Sequence, residues 1–232
     1  MSDIAQQLNK VQQRIKDSAS KAGRNTDKIT LLAVSKTRPI DDLIVALEAG
    51  QHAFGENYLQ EAVEKITAMK QKRPGAKVEW HFIGPIQSNK TSTIAEHFDW
   101  VHSVDRLKIA QRLNDQRSSD VPLNICIQIN ISNEVSKSGV SIEELADLAK
   151  AIQNLPKLRL RGLMAIPASS DSFEQQCLPL RLLKQQFDSL NQQGFKLDTL
   201  SMGMSGDLEA AIQEGATIVR IGTDIFGARQ PK

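Results

Sequence analysis

The sequence predicts a single (β/α)8 barrel of the TIM type with one extra helix at its N-terminus, and three observations carry that expectation. Short apolar runs alternate with longer amphipathic ones from end to end, eight such runs can be counted, and no hairpin signal joins any two of them. Near-continuously apolar strands joined by helices pair in parallel. A right-handed series of this kind either opens into a doubly wound sheet or closes into a barrel of roughly 250 residues, and the barrel is the expectation here. No Pro/Gly/Ser-rich linker, repeat or low-complexity stretch divides the chain, so residues 1–232 are expected to form one domain.

The elements follow in order. Ile4, Leu8, Val11 and Ile15 fall at helical spacing, with Gly23 as the stop of an N-terminal helix. Strand-like runs occupy 29–36, 53–57, 78–85, 100–105, 123–131, 158–167, 199–204 and 218–226. Helical patterns lie between them at 40–49, 58–72, 89–98, 106–116, 142–154, 173–193 and 206–214. Ser141 and Glu144 form a capping box before "LADLAKAI", and Gly50, Gly194 and Gly215 stand where helices should stop.

Composition narrows the class of protein. With 40% hydrophobic and 24% charged residues the chain suits a soluble globular fold. A net charge of +2 without a basic block gives no electrostatic track for nucleic acid. The first residues lack the apolar core of a signal peptide, and no run is long enough to span a bilayer. Cys126 and Cys177 stand far apart, and Cys126, inside "LNICIQINI", reads as a small buried residue. A reducing cytoplasm is the expected location.

In such barrels the site lies at the C-terminal ends of the strands. The residues gathered there are Lys36, Asn57, Gly84, Pro85, Asp105, Asn130 and Met164, followed by the richer ends of the last two strands. Ser201, Gly203, Ser205 and Gly206 precede "DLEAAIQEG", and Gly222 and Thr223 close the eighth run. Glycines let backbone N–H groups approach an anion and hydroxyls add donors, so these loops read as a phosphate cradle; tight βα turns would use the same glycines. Arg220 shares the strand face of Gly222. Inward it is a fixed cation in the site, outward a partner for a helix carboxylate, and the sequence leaves both open.

Lys36 ends a core run on an ammonium group. Alone it would read as a snorkelling surface lysine. Across a barrel from a phosphate cradle it reads as a desolvated amine of lowered pKa, able to form a Schiff base with an aldehyde. An aldehyde that also bears a phosphate is pyridoxal 5′-phosphate (PLP).

Seven motifs in order, "LLAVSKT", "FGENYLQE", "EWHFIGPIQSNK", "INISNEVSKSG", "RGLMAIP", "LSMGMSGDLEAAI" and "VRIGTDIFGAR", span essentially the whole chain. Through them it resembles the pyridoxal phosphate homeostasis proteins, related to the N-terminal barrel of alanine racemase. The resemblance implies that Lys36 carries PLP as an internal aldimine. It implies that Ser201, Gly222 and Thr223, with Ser205, hold the phosphate, that Arg220 faces the pyridine nitrogen, and that Asn57 lines the ring pocket. A guanidinium cannot accept a proton, so the ring nitrogen would stay neutral and carbanions would be weakly stabilised.

In the racemase relatives a tyrosine from a second domain supplies the opposite base. Here only "GARQPK" follows the eighth run, and the single tyrosine, Tyr58, is expected to pack its ring near the mouth. His81 and His102 lie inside strands as core or wall residues, and His52 and His97 are expected to be solvated. Lys137 reads as a solvated loop lysine, and no cluster has metal-ligand spacing. The functional expectation is therefore a monomeric protein that holds PLP and delivers it, with PLP-dependent apo-enzymes as partners and no substantial turnover. The alternatives are a low-activity PLP-dependent racemase and a PLP-independent isomerase in which Lys36 attacks a phosphorylated sugar aldehyde.

Overall fold

A computed structural model describes residues 3–132 and 138–228. Eight parallel strands close into a barrel in chain order. They are β1 (Thr30–Val34), β2 (Ala53–Glu56), β3 (Glu79–Phe82), β4 (Trp100–Val104), β5 (Leu123–Gln128), β6 (Leu158–Met164), β7 (Thr199–Ser201) and β8 (Ile218–Ile221). The outer ring comprises α2 (Ile40–Glu48), α3 (Leu59–Lys72), α4 (Thr91–His97), α5 (Leu107–Gln116), α6 (Ile142–Gln153), α7 (Phe173–Gln192), α8 (Leu208–Gln213) and α9 (Thr223–Phe226). The extra helix α1 (Asp3–Lys21) buries Leu8, Val11 and Ile15 and packs against α2, α8 and α9. Among these helices none is long and apolar enough to cross a membrane.

Closure divides each strand between two environments, because successive side chains point to opposite faces. One set, including Phe54, Phe82, Val101, Ile125, Leu163 and Val219, meets the helices in the main core. The other set turns into the lumen, where Leu32, Ala53, Trp100, Cys126, Met164 and Ile218 pack together. Register carries the same order around the barrel: Leu32 pairs with Arg220, Gly55 with His81 and Met164 with Ser201. The lumen's lower end is plugged by Trp100, with the Arg161 guanidinium 4.6 Å above its ring centroid and His81 stacked at 5.4 Å.

The strands are shorter than the apolar runs that announce them. The run 218–226 divides at Gly222: β8 stops at Ile221 and Thr223–Phe226 turns as α9. A continuous apolar stretch does not distinguish a buried strand from a short buried helix, and here Ile225 and Phe226 reach the core from a helical turn. Likewise β1 ends at Val34, which leaves Lys36 in the turn beyond it. The capping box at Ser141 and Glu144 is present, with the serine side chain accepting from the Glu144 N–H. Cys126 is fully buried.

Candidate functional site

Lys36 is half-buried in the turn that leaves β1, and both of its neighbours are tied to α3. Thr37 has φ 65°, in the left-handed region that a β-branched residue enters only under strain of roughly 1–3 kcal/mol. Its N–H donates to Glu61 Oε1 at 2.6 Å. On the other side, Lys65 Nζ donates to the Ser35 carbonyl at 2.7 Å and to Glu56 Oε1 at 2.8 Å, and also reaches Glu61. Ser35 Oγ adds a bond of 2.6 Å to the same Glu56 oxygen. Glu56 and Lys65 are both buried. Burial raises the Glu56 pKa, while the charge and hydrogen bond of Lys65 and the Ser35 hydroxyl oppose it.

Asn57 follows β2 and is half-buried, and its buried Oδ1 has no hydrogen-bond partner. A Cβ added at Gly84 would lie 2.2 Å from the Asn57 carbonyl oxygen, so only glycine lets the end of β3 approach this backbone. Asn57 is thus fixed from below with its amide oxygen unused, a group that costs free energy until something donates to it.

Arg220 points inward. It is 4% exposed, and burial pulls its pKa down to about 10. Its terminal nitrogens rest on neutral oxygens rather than on a carboxylate: Nη1 donates to Ser201 Oγ at 2.8 Å and Nη2 to the Ala165 carbonyl at 2.9 Å. The choice the sequence left open is settled by strand parity. Ser201 carries a second contact, 2.7 Å to His102 Nδ1. Its hydroxyl therefore meets Arg220 and His102 inside the lumen.

The loop after β7 turns at Gly203 with φ 94°, where a Cβ would meet Ala211 Cβ at 2.5 Å. Ser205 and Gly222 are half-buried beside an exposed Thr223. One residue of the extra helix binds both loops together. Arg14 donates from Nη2 to the Ser205 carbonyl at 2.9 Å, from Nη1 to Asp224 Oδ2 at 2.9 Å, and from Nε to Glu209 Oε1 at 2.5 Å.

Tyr58 does not pack: it is 51% exposed at the start of α3, because β2 ends at Glu56 and the following turn carries the ring outward. Lys137 lies outside the described residues. Among the described residues no His/Cys/Asp/Glu group could hold a metal ion. Sequence reasoning missed Glu56, Lys65 and Arg14, and it read His102 as a core or wall residue, which its full burial in β4 bears out. The i,i+4 spacing of Glu61 and Lys65 was a signal, but it reads as an ordinary solvated helix pair.

The barrel with its mouth at the strand ends defines a class of protein first. Residues 7–230 match the family model for the N-terminal domain of alanine racemase. The solved alanine racemase of Corynebacterium glutamicum aligns with a TM-score of 0.71 at 17% identity, over 97% of this chain and 60% of its own, a likeness of fold alone. Higher identity is found with proteins named pyridoxal phosphate homeostasis protein. That of Escherichia coli strain K12 is 54% identical over 99% of this chain and 98% of its own. That of Vibrio alginolyticus is 53% identical over 99% of both. The chain belongs to the pyridoxal phosphate homeostasis protein family. PipY of Synechococcus elongatus PCC7942, solved with PLP bound, is 33% identical with a TM-score of 0.82, over 97% of this chain and 100% of its own.

Proposed function

We propose that this chain binds PLP covalently through Lys36 and serves vitamin B6 homeostasis, holding the cofactor in the cytoplasm as a monomer and passing it to PLP-dependent apo-enzymes without substantial turnover. The observation that carries the reading is Arg220, a buried guanidinium that among the described residues donates to neutral oxygens, at the lumen's upper end, beside the strand that leads to Lys36. The surrounding residues fit such a ligand. Asn57 offers an unused buried acceptor, and the loops of Gly203, Ser205, Gly222 and Thr223 hold the glycine and hydroxyl residue types that a phosphate cradle uses.

When bound, PLP supplies an aldehyde and an electron-withdrawing ring whose strength as a sink depends on protonation of its nitrogen. Lys36 would supply the amine that holds such an aldehyde. Ser35 and Thr37, tied to α3, hold the turn that presents it. Arg220 only donates, so it leaves the ring nitrogen unprotonated and favours holding over carbanion chemistry. Tyr58, the one tyrosine of the chain, is exposed at the start of α3.

The test is spectroscopic and chemical. Purified protein incubated with PLP should show visible absorbance, and borohydride reduction with peptide mapping should place a pyridoxyl group on Lys36. Absence of visible absorbance, or an adduct confined to Lys137, would overturn the proposal.

A further inference from the structure

A row of polar side chains crosses the lumen from the mouth to the lower face, past Leu32, Cys126, Met164 and Ile218. Arg220 Nη1 lies 2.8 Å from Ser201 Oγ, which lies 2.7 Å from His102 Nδ1. His102 Nε2 lies 2.9 Å from His81 Nδ1, and His81 Nε2 lies 3.2 Å from Glu79 Oε2. Trp100 Nε1 donates to the other Glu79 oxygen at 2.7 Å. Arg220, Ser201, His102 and His81 are all buried, whereas Glu79 is half-exposed at the first position of β3.

We propose that Glu79, His81 and His102 are positioning residues, forming a one-directional hydrogen-bond relay that keeps Ser201 as the acceptor for the Arg220 guanidinium. The direction follows from which groups can donate. A carboxylate only accepts, so Glu79 requires the proton of a neutral His81 to sit on Nε2. His81 Nδ1 is then an acceptor, which places the proton of His102 on its Nε2. His102 Nδ1 is an acceptor in turn, and Ser201 must give it its single proton. The serine oxygen is left with lone pairs, and Arg220, which can only donate, takes one of them. Every donor in the row has an acceptor, and reversing one bond forces the rest to reverse.

Geometry gives this row its consequence. The two terminal nitrogens of Arg220 are held by Ser201 and by the Ala165 carbonyl, so the plane of the guanidinium is set from beneath. A second positive charge on His102 would face Arg220, His81, Trp100 and Ser201 without a carboxylate among them. Burial, with His81 and Arg220 adding, holds its pKa well below the ordinary histidine range. The relay is independent of any ligand; only its effect on bound PLP rests on the function proposed above.

Two measurements test it. In PLP-free protein with 15N-labelled histidine, long-range 1H–15N correlation spectra at neutral pH should show His102 protonated on Nε2 and not on Nδ1, with a proton on Nε2 of His81. A proton on Nδ1 of His102 would reverse the row and overturn the proposal. In loaded protein, His102→Leu should weaken PLP about tenfold and shift its visible absorbance maximum. His102→Asn, whose short amide keeps an acceptor for Ser201, should restore affinity to within about threefold and return the maximum towards wild type. Wild-type affinity and absorbance in His102→Leu would sink the positioning role. Lack of visible absorbance in the wild-type protein would instead remove the PLP reading, leaving the tautomers to decide the relay.

Discussion

The ammonium of Lys65 donates to the carbonyl of Ser35 at 2.7 Å, one residue before Lys36. A buried cation on α3 therefore grips the backbone that presents Lys36, while Glu61 of the same helix grips Thr37 on the far side. Replacing Lys65 by Met should leave the buried Glu56 carboxyl unpaired at a cost of about 3–5 kcal/mol. Urea unfolding measures the loss. Adding Glu56→Gln to the Lys65→Met variant should recover part of it, since the uncompensated charge is then gone, and no recovery would place the cost elsewhere.

Glu56 also makes stability depend on pH in a definite direction. Burial raises its folded pKa above the unfolded value, so the native state holds the proton more tightly. Its contribution is fully present below the unfolded pKa and is lost as pH rises through the folded one. Relative to Glu56→Gln, which does not titrate, wild-type protein should lose stability as pH rises from about 4 towards neutrality. A series of urea melts gives the slope, and a gain in that interval would mean that Lys65 outweighs desolvation.

The cradle makes a separable prediction. Ser205→Ala and Thr223→Ala each remove a hydroxyl beside the expected phosphate, worth roughly 1.5–3 kcal/mol if donated to an anion. Equilibrium dialysis should show PLP affinity reduced about tenfold or more in each, with the fold intact. Unchanged affinity in the double variant would place the phosphate elsewhere.

Turnover is tested by hydrogen exchange. In the proposed function Arg220 would disfavour a protonated ring, and Tyr58 is exposed at the start of α3. Alanine incubated with the loaded protein in deuterated water should therefore exchange its Cα hydrogen at the uncatalysed rate. Rapid exchange abolished by Tyr58→Phe would make the protein a racemase.

Much of this was legible in the chain because a barrel strand is a short-range pattern. The apolar runs located all eight strands, and placing Lys36 at the end of the first and Gly222 at the end of the last brought them to one mouth by topology alone. Legibility failed where one pattern serves two structures, as at 223–226, where apolar residues in a short helix look like more strand. It also failed for Tyr58, since whether an aromatic ring at a turn packs or projects depends on how soon the strand before it ends.

The sequence by itself determined the barrel, its mouth, and Lys36, Asn57, Ser201, Ser205, Arg220, Gly222 and Thr223 as the residues expected there, because periodicity and chain order carry that information. Only the tertiary structure decided that Arg220 faces inward, that the Ser201 hydroxyl serves Arg220 and His102, and that Lys65, Glu61 and Arg14 hold the loops. Those are contacts between residues far apart in the chain, such as Arg14 with Ser205 or His102 with Ser201. Hydrogen bonds depend on distance and angle in space, and no local pattern of residue types records them until the barrel closes.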